Sequence, residues 1–120
     1  MSGQYVCMKI VRDHITMAEL KEMSQVWHGE LVKAVVDVLR NIMAVDGEMH
    51  ADEEQILLLD GSKQEYLWGI NIYLGKEDDS RIEFDSMINV RPSQQNMSRS
   101  VEDKELQKTI RSIIDSLIVK

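Results

Sequence analysis

Three groups of polar residues have types and spacings that could carry chemistry. The first is the run Asn89, Arg91, Ser93, Gln94, Gln95, Asn96, Ser98 and Arg99. Two guanidiniums, several side-chain donors and a helix start just behind them are what an anion site needs. Arg forks match phosphate or carboxylate. In this reading Arg91 and Arg99 hold the anion, Ser93 and Asn96 orient it, and Asn71 adjoins them on a neighbouring strand. Glu102 and Asp103 follow closely and repel anions. The plainer alternative is a solvated loop whose arginines pair with Glu83, Asp85 or other acids.

The second group is Glu48, His50 and Asp52. In an extended segment alternate residues share one face. With Asp37 or Asp85 nearby, this trio could ligate a divalent ion of the Mn, Zn or Mg kind. Asp52 also has the spacing of a helix cap with Gln55, and a surface histidine beside a cap is the competing account of His50. Zinc-protease and multi-Cys spacings are absent from the chain.

The third group is Asn71, Glu83 and Asp85 on the polar side of a predicted hairpin. Glu83 and Asp85 could act as a general acid/base pair, steadied by Arg91, in hydrolysis or transfer at an anionic substrate. Polar outer faces of antiparallel sheets look the same without chemistry. Nucleophiles are weaker candidates. Cys7, the only cysteine, lies in an apolar run with no placed base, which favours an inert buried thiol. Ser93, Ser98, His14 and His28 form no recognisable triad order.

The elements that must position these groups follow from periodicity. Residues 4–12 read as a strand. Thr16 and Glu19 have capping-box spacing, flanked by Ile15 and Leu20, and Met17, Leu20, Met23 and Trp27 recur at helical spacing up to Gly29. Residues 31–38 and 42–46 are β-rich runs joined by Leu39-Arg40-Asn41, with Asn41 suited to a left-handed turn position. The expected pairing is Val38 with Ile42, which turns Asp37 to the side of Val35, Met43 and Val45. A short helix is expected over 53–60, capped by Asp52 and ended by Gly61. Residues 66–74 and 81–90 form a second hairpin. Its apolar faces (Trp68, Ile70, Ile72, Leu74 and Ile82, Phe84, Ser86, Ile88) coincide only if paired numbers sum to an even value. The expected pairing is Ile72 with Phe84, and Asn71 with Asp85. A last helix starts near Ser100 with Asp103 in its first turn. Its stripe is Leu106, Ile110, Ile113, Ile114, Leu117 and Ile118. The order β-α-β-β-α-β-β-α predicts a two-layer α+β fold: a largely antiparallel sheet with three helices.

The stretches Asp46–Glu54, Leu67–Tyr73 and Ile82–Arg99 resemble a small prokaryotic family catalogued only as a domain of unknown function. The resemblance spans about residues 8 to 118, and its long Arg-Pro-Ser-Gln stretch is specific. It implies a single prokaryotic cytosolic domain over 1–120, with 1–7 as an N-terminal extension, and transfers no catalytic residue.

Composition narrows the function classes. The chain has 120 residues with 43% hydrophobic and 29% charged, which fits one globular domain. No run approaches a membrane span and no signal peptide is evident, so a cytoplasmic protein off the membrane is expected. The net charge is −7. Six acids and no Lys or Arg fall between Asp46 and Asp60, and no basic run supports duplex binding. The leading reading is binding of a small anionic ligand at loop 91–99, with hydrolysis as its chemical extension. The alternatives are a non-enzymatic interaction or structural module, including a homodimer, and a divalent-metal protein. Beyond that metal, the sequence specifies no cofactor.

Overall fold

A computed structural model describes residues 8–120. Cys7 and the first half of the expected 4–12 strand lie outside the described residues. Ten regular elements follow: β1 (Lys9–Val11), β2 (Ile15–Thr16), α1 (Met17–Trp27), β3 (Leu31–Asp37), β4 (Ile42–Val45), α2 (His50–Leu59), β5 (Leu67–Tyr73), β6 (Ile82–Glu83), α3 (Lys104–Leu117) and β7 (Ile118–Val119). Five strands form an antiparallel sheet in the order β1-β4-β3-β5-β6. The fold is α+β with three helices, and a short parallel β2–β7 pair was not foreseen.

The sheet has helices on both faces, so its central strands are apolar on both sides. Val32, Ala34 and Val36 of β3 and Trp68, Ile70 and Ile72 of β5 share a core with Leu20 of α1 and Ile110, Ile113, Ile114 and Leu117 of α3. On the other face Val35, Ala44, Ile42 and Leu67 pack with Leu57 of α2. Lys33 pairs with Asn71, and Asn71 with Glu83. The residues of these pairs alternate with the first core's strand residues, so they fall on the α2 face.

Local chemistry explains where the chain departs from expectation. Asp37 pairs with Ile42, one residue earlier than Val38. Its Oδ1 accepts the amides of Leu39 and Arg40, which starts the turn at once, and Asn41 adopts the left-handed conformation (φ 56°). Asp37 therefore sits on the face of Ile42 and Ala44, not of Met43 and Val45. Its other oxygen accepts from the Ser62 hydroxyl. Helix α2 begins at His50, with Met49 as an N-cap that gives no side-chain bond. Asp52 is thus inside the helix and does not cap it. Helix α3 begins later than expected, because Asp103 is its N-cap and accepts from the amides of Glu105 and Leu106.

The β5–β6 register keeps the expected parity but is shifted by two, pairing Ile72 with Ile82 and Asn71 with Glu83. Strand β6 stops after two residues. Ser86 turns the chain by bonding the amide of Ile88, and its own amide bonds Arg99 O. Phe84 stays against the first core, half-buried, whereas Ile88 packs on the opposite face. A Cβ on Gly69 would lie 2.6 Å from Ser86 Cβ, so this close crossing requires glycine.

Candidate functional site

The early end of β6 leaves the outer edge of β5 unpaired, and side chains take its place. Asn89 acts as a substitute strand. Its Oδ1 accepts from Gly69 N (2.8 Å) and its Nδ2 donates to Gly69 O (3.0 Å). Arg91 donates from Nε to Ile88 O (2.9 Å), from one Nη to Gln64 O (2.8 Å) and from the other to Leu67 O. Its guanidinium lies 4.5 Å from the centre of a Trp68 ring. Asn96 donates to the carbonyls of Asn89, Ser98 and Ser100 and accepts from Glu102 N. The loop is therefore ordered by its own polar side chains. Arg91 and Asn96 are buried in this network, and Ser93 is exposed at the loop tip.

Arg99 points elsewhere. Its Nε donates to Asp85 Oδ1 (2.6 Å), an exposed pair that leaves both Nη groups without a hydrogen-bond partner among the described residues. It borders a hollow of about 190 Å³, together with Lys33, Met49, His50, Ala51, Ser86, Met87 and Ile88. This hollow lies against the first turn of α2, whose leading amides have no side-chain cap. No ion pair among the described residues includes Lys33.

His50 forms one wall and is 8% exposed. Its Nε2 lies 2.7 Å from Ile70 O. A carbonyl only accepts, so Nε2 carries the proton. Burial holds the imidazole down to about 4, with smaller contributions from Lys33 and Arg99 opposed by the Ile70 bond and Asp85. The ring is neutral at pH 7. Its Nδ1 lone pair has no partner among the described residues.

Beside the hollow, two acids are buried at the β4–α2 connection. Asp46 has a left-handed backbone (φ 69°), and burial pushes its carboxyl up to about 6, opposed by His28. Glu53 is fully buried and accepts Gly47 N at 2.8 Å. Burial raises it well above the usual carboxylate range. A Cβ on Gly47 would meet Glu53 Cγ at 2.7 Å, so the loop and the acid are closely fitted. Asp46 Oδ2, Glu53 Oε1 and Asn71 Oδ1 are buried without a partner among the described residues.

The three predicted groups are distributed as follows. Glu83 Oε1 accepts from Asn71 Nδ2 (2.8 Å) and Tyr73 OH (3.4 Å), and Asp85 is held by Arg99. Asn71 Nδ2 also donates to the backbone carbonyl of Asp85 (3.4 Å), which links the Asn71–Glu83 and Asp85–Arg99 pairs. Glu48, His50 and Asp52 do not converge. The segment is helical from His50, and residues two apart on a helix face different ways. Among the described residues, no group of three or more His, Cys, Asp or Glu side chains is placed to hold a metal ion. The sequence reading missed Lys33, Asp46 and Glu53. Lys33 had a signal, as the one charge inside the apolar run LVKAVV.

The family model described as a protein of unknown function, DUF5674, matches residues 9–117. No curated protein and no solved structure matches the chain. The match spans nearly the whole chain and covers all three stretches on which the resemblance rested, and the chain belongs to the DUF5674 family.

Proposed function

We propose that this protein binds a small carboxylate with a short apolar tail in the hollow at the start of α2. One observation carries the reading. Lys33, the free Nη groups of Arg99 and the uncapped α2 amides border one hollow that no acidic side chain lines. Helix N-termini and guanidinium forks both favour anions. Met49, Ala51, Met87 and Ile88 supply an apolar wall for the tail. His50 Nδ1 offers an acceptor to a ligand hydroxyl. A volume of about 190 Å³ admits a small acid and is too small for a nucleotide.

This reading keeps Arg99 from the loop-centred set, leaves out Asn71, which bonds Glu83 and does not line the hollow, and moves the anion away from Arg91, whose donors already meet backbone carbonyls. It gives Glu83 and Asp85 no catalytic role, because neither lines the hollow. No helix among the described residues is long and apolar enough to cross a membrane. A cytosolic metabolite is the ligand class we would screen first. Exposed Met49 and Met87 at the rim favour a second reading, in which a partner protein or second copy presents the carboxylate.

Titration calorimetry with butyrate, 2-hydroxybutyrate and inorganic phosphate tests the proposal. Both butyrates should bind, the hydroxy acid more tightly. Lys33→Ala and Arg99→Ala should each weaken binding about tenfold or more. If no acid binds the wild-type protein, or if both variants bind as it does, the reading fails.

A further inference from the structure

A second hollow opens on the other face of the sheet, and its chemistry is opposite. It measures about 480 Å³, within the range of sites for small organic ligands. Tyr66, Trp68, Leu106 and Val38 form an apolar and aromatic floor, and Glu65, Glu102 and Asp103 stand around it. Among the described residues no Lys, Arg or His lines it, the nearest cation being the Arg91 guanidinium stacked on the Trp68 ring, and no ion pair includes any of these three acids.

Two of these carboxylates are fixed in place. Glu102 accepts the amides of Met97 (3.0 Å) and Ser98 (2.7 Å) through Oε2. Hydrogen bonding from the Ser98 side chain, then from the Ser98 and Met97 amides, holds it below its ordinary range, so it is ionised. Asp103 accepts the amides of Glu105 and Leu106 through Oδ1. Each keeps its second oxygen without a partner among the described residues. A cavity with aromatic walls, apolar floor and preset, uncompensated carboxylates matches a cation on a hydrocarbon stem. The ammonium meets the carboxylates, and the stem covers the floor of Tyr66, Val38 and Leu106, beside the Trp68 ring on which Arg91 already stacks.

We infer that this hollow is a binding site for a small organic amine, independent of the carboxylate site on the α2 face. Gln94, Gln95 and Asn96 add carboxamide groups to one wall. The same loop that sends Arg99 to one face thus closes the amine site on the other. Burial of this floor by the stem distinguishes an amine from a bare inorganic cation.

The test uses the full chain with 1,5-diaminopentane as the probe and 1,5-pentanediol as its uncharged match. Binding is followed by calorimetry and by the indole resonance of Trp68, assigned with a Trp27→Phe variant. The diamine should bind and shift the Trp68 signal, and the diol should not. Glu102→Gln, which keeps an acceptor for the loop amides, should weaken the diamine about tenfold, and Glu65→Gln, at a carboxylate that no hydrogen bond among the described residues fixes, about threefold. Glu22→Gln, an equal charge change on α1, should leave binding unchanged. The proposal is overturned if the diol binds as well as the diamine, if Glu65→Gln and Glu102→Gln both bind as the wild type does, or if Glu22→Gln weakens binding as much as they do. That last result would mean only general attraction to an acidic protein.

Discussion

The two faces of the sheet are built differently. Among the described residues, nineteen buried hydrophobic residues form one continuous cluster under α1 and α3, and five form another under α2. The strands are the same, since each contributes alternate residues to each face. The difference lies in the cover. Helix α2 spans ten residues and seals only the part of the sheet around Val35, Ala44 and Leu67. The remainder of that face carries Lys33, Asn71 and Glu83, with His50, Asp46 and Glu53 close to it. Polar groups on the well-covered face would cost several kcal/mol each without partners. On the half-covered face they persist, some with buried oxygens unsatisfied. That is the pattern of a face held partly for something other than folding.

The largest expected effect tests this division. Ile70, fully buried at the centre of β5, belongs to the large cluster. Ile70→Ala should cost about 4 kcal/mol in urea denaturation, from lost transfer energy plus a cavity that cannot collapse. Leu57→Ala on the α2 face should cost about 2–3 kcal/mol, because a small cluster beside polar groups relaxes more easily. Equal losses would show that the faces share the stability evenly and would remove the argument for a specialised α2 face.

Arg91 comes next. It looks like an anion ligand in sequence, yet its donors serve the carbonyls of Leu67 at the start of β5, of Gln64 just before it and of Ile88 in the turn after β6. Arg91→Ala should destabilise the fold by about 3 kcal/mol, leaving carbonyls unsatisfied and Trp68 uncovered. Arg91→Lys should recover little, since an ammonium cannot reach three divergent acceptors in one plane. A well-folded Arg91→Ala protein with the wild-type melting midpoint would return this arginine to the pool of ligand candidates.

Arg91 also shows what sequence could and could not convey. Hydrophobic period located α1, the α3 stripe and both hairpins, because burial leaves a pattern in residue type, whereas α2, placed by end signals, begins three residues earlier than expected and β6 keeps only two residues of its expected run. Thr16 capping Glu19 was legible for the same local reason. The Asp37 turn was missed by one residue because a side chain, not a turn residue, sets it. The 91–99 loop was legible as unusual but not in its role. An arginine that satisfies backbone carbonyls and one that awaits an anion have the same letter, and only the truncation of β6 tells them apart. Lys33 joined the site through strand register, which depends on pairs far apart in the chain.

The pH response probes the polar groups of the α2 face more gently. His50 titrates near 6.5 when unfolded and about 4 when folded. Between those values the unfolded chain takes up a proton that the folded one refuses, so His50 makes stability fall as pH drops from 6.5 to 4. Asp46 acts in the opposite sense. Its folded value of about 6 lies above 3.8, so its contribution falls as pH rises from 3.8 to 6. Glu53 shares the sense of Asp46. The wild type should therefore show a shallow dependence across this range. His50→Gln should unmask the carboxyls and gain stability as pH falls from 6 to 4. Asp46→Asn, which tolerates the left-handed backbone, should lose stability more steeply on acidification than the wild type. Parallel melting curves for all three proteins between pH 4 and 6.5 would refute the opposed pair.

The smallest stability effect belongs to Arg99, and it discriminates most sharply between the roles assigned to the two arginines. Its pair with Asp85 is exposed on both sides, with side-chain exposures of 55% and 44%. Such pairs contribute about 0–1 kcal/mol, because water screens the charges and two side chains must be held still. Arg99→Ala should therefore shift the urea midpoint barely, in contrast to Arg91→Ala eight residues earlier. The same substitution should weaken butyrate binding about tenfold, since it removes the only guanidinium bordering the carboxylate hollow. Diaminopentane binding on the opposite face should not change, because Arg99 does not line that hollow. If Arg99→Ala instead unfolds the chain as readily as Arg91→Ala, both arginines are structural. If the variant is stable but binds both probes as before, the carboxylate site does not depend on Arg99.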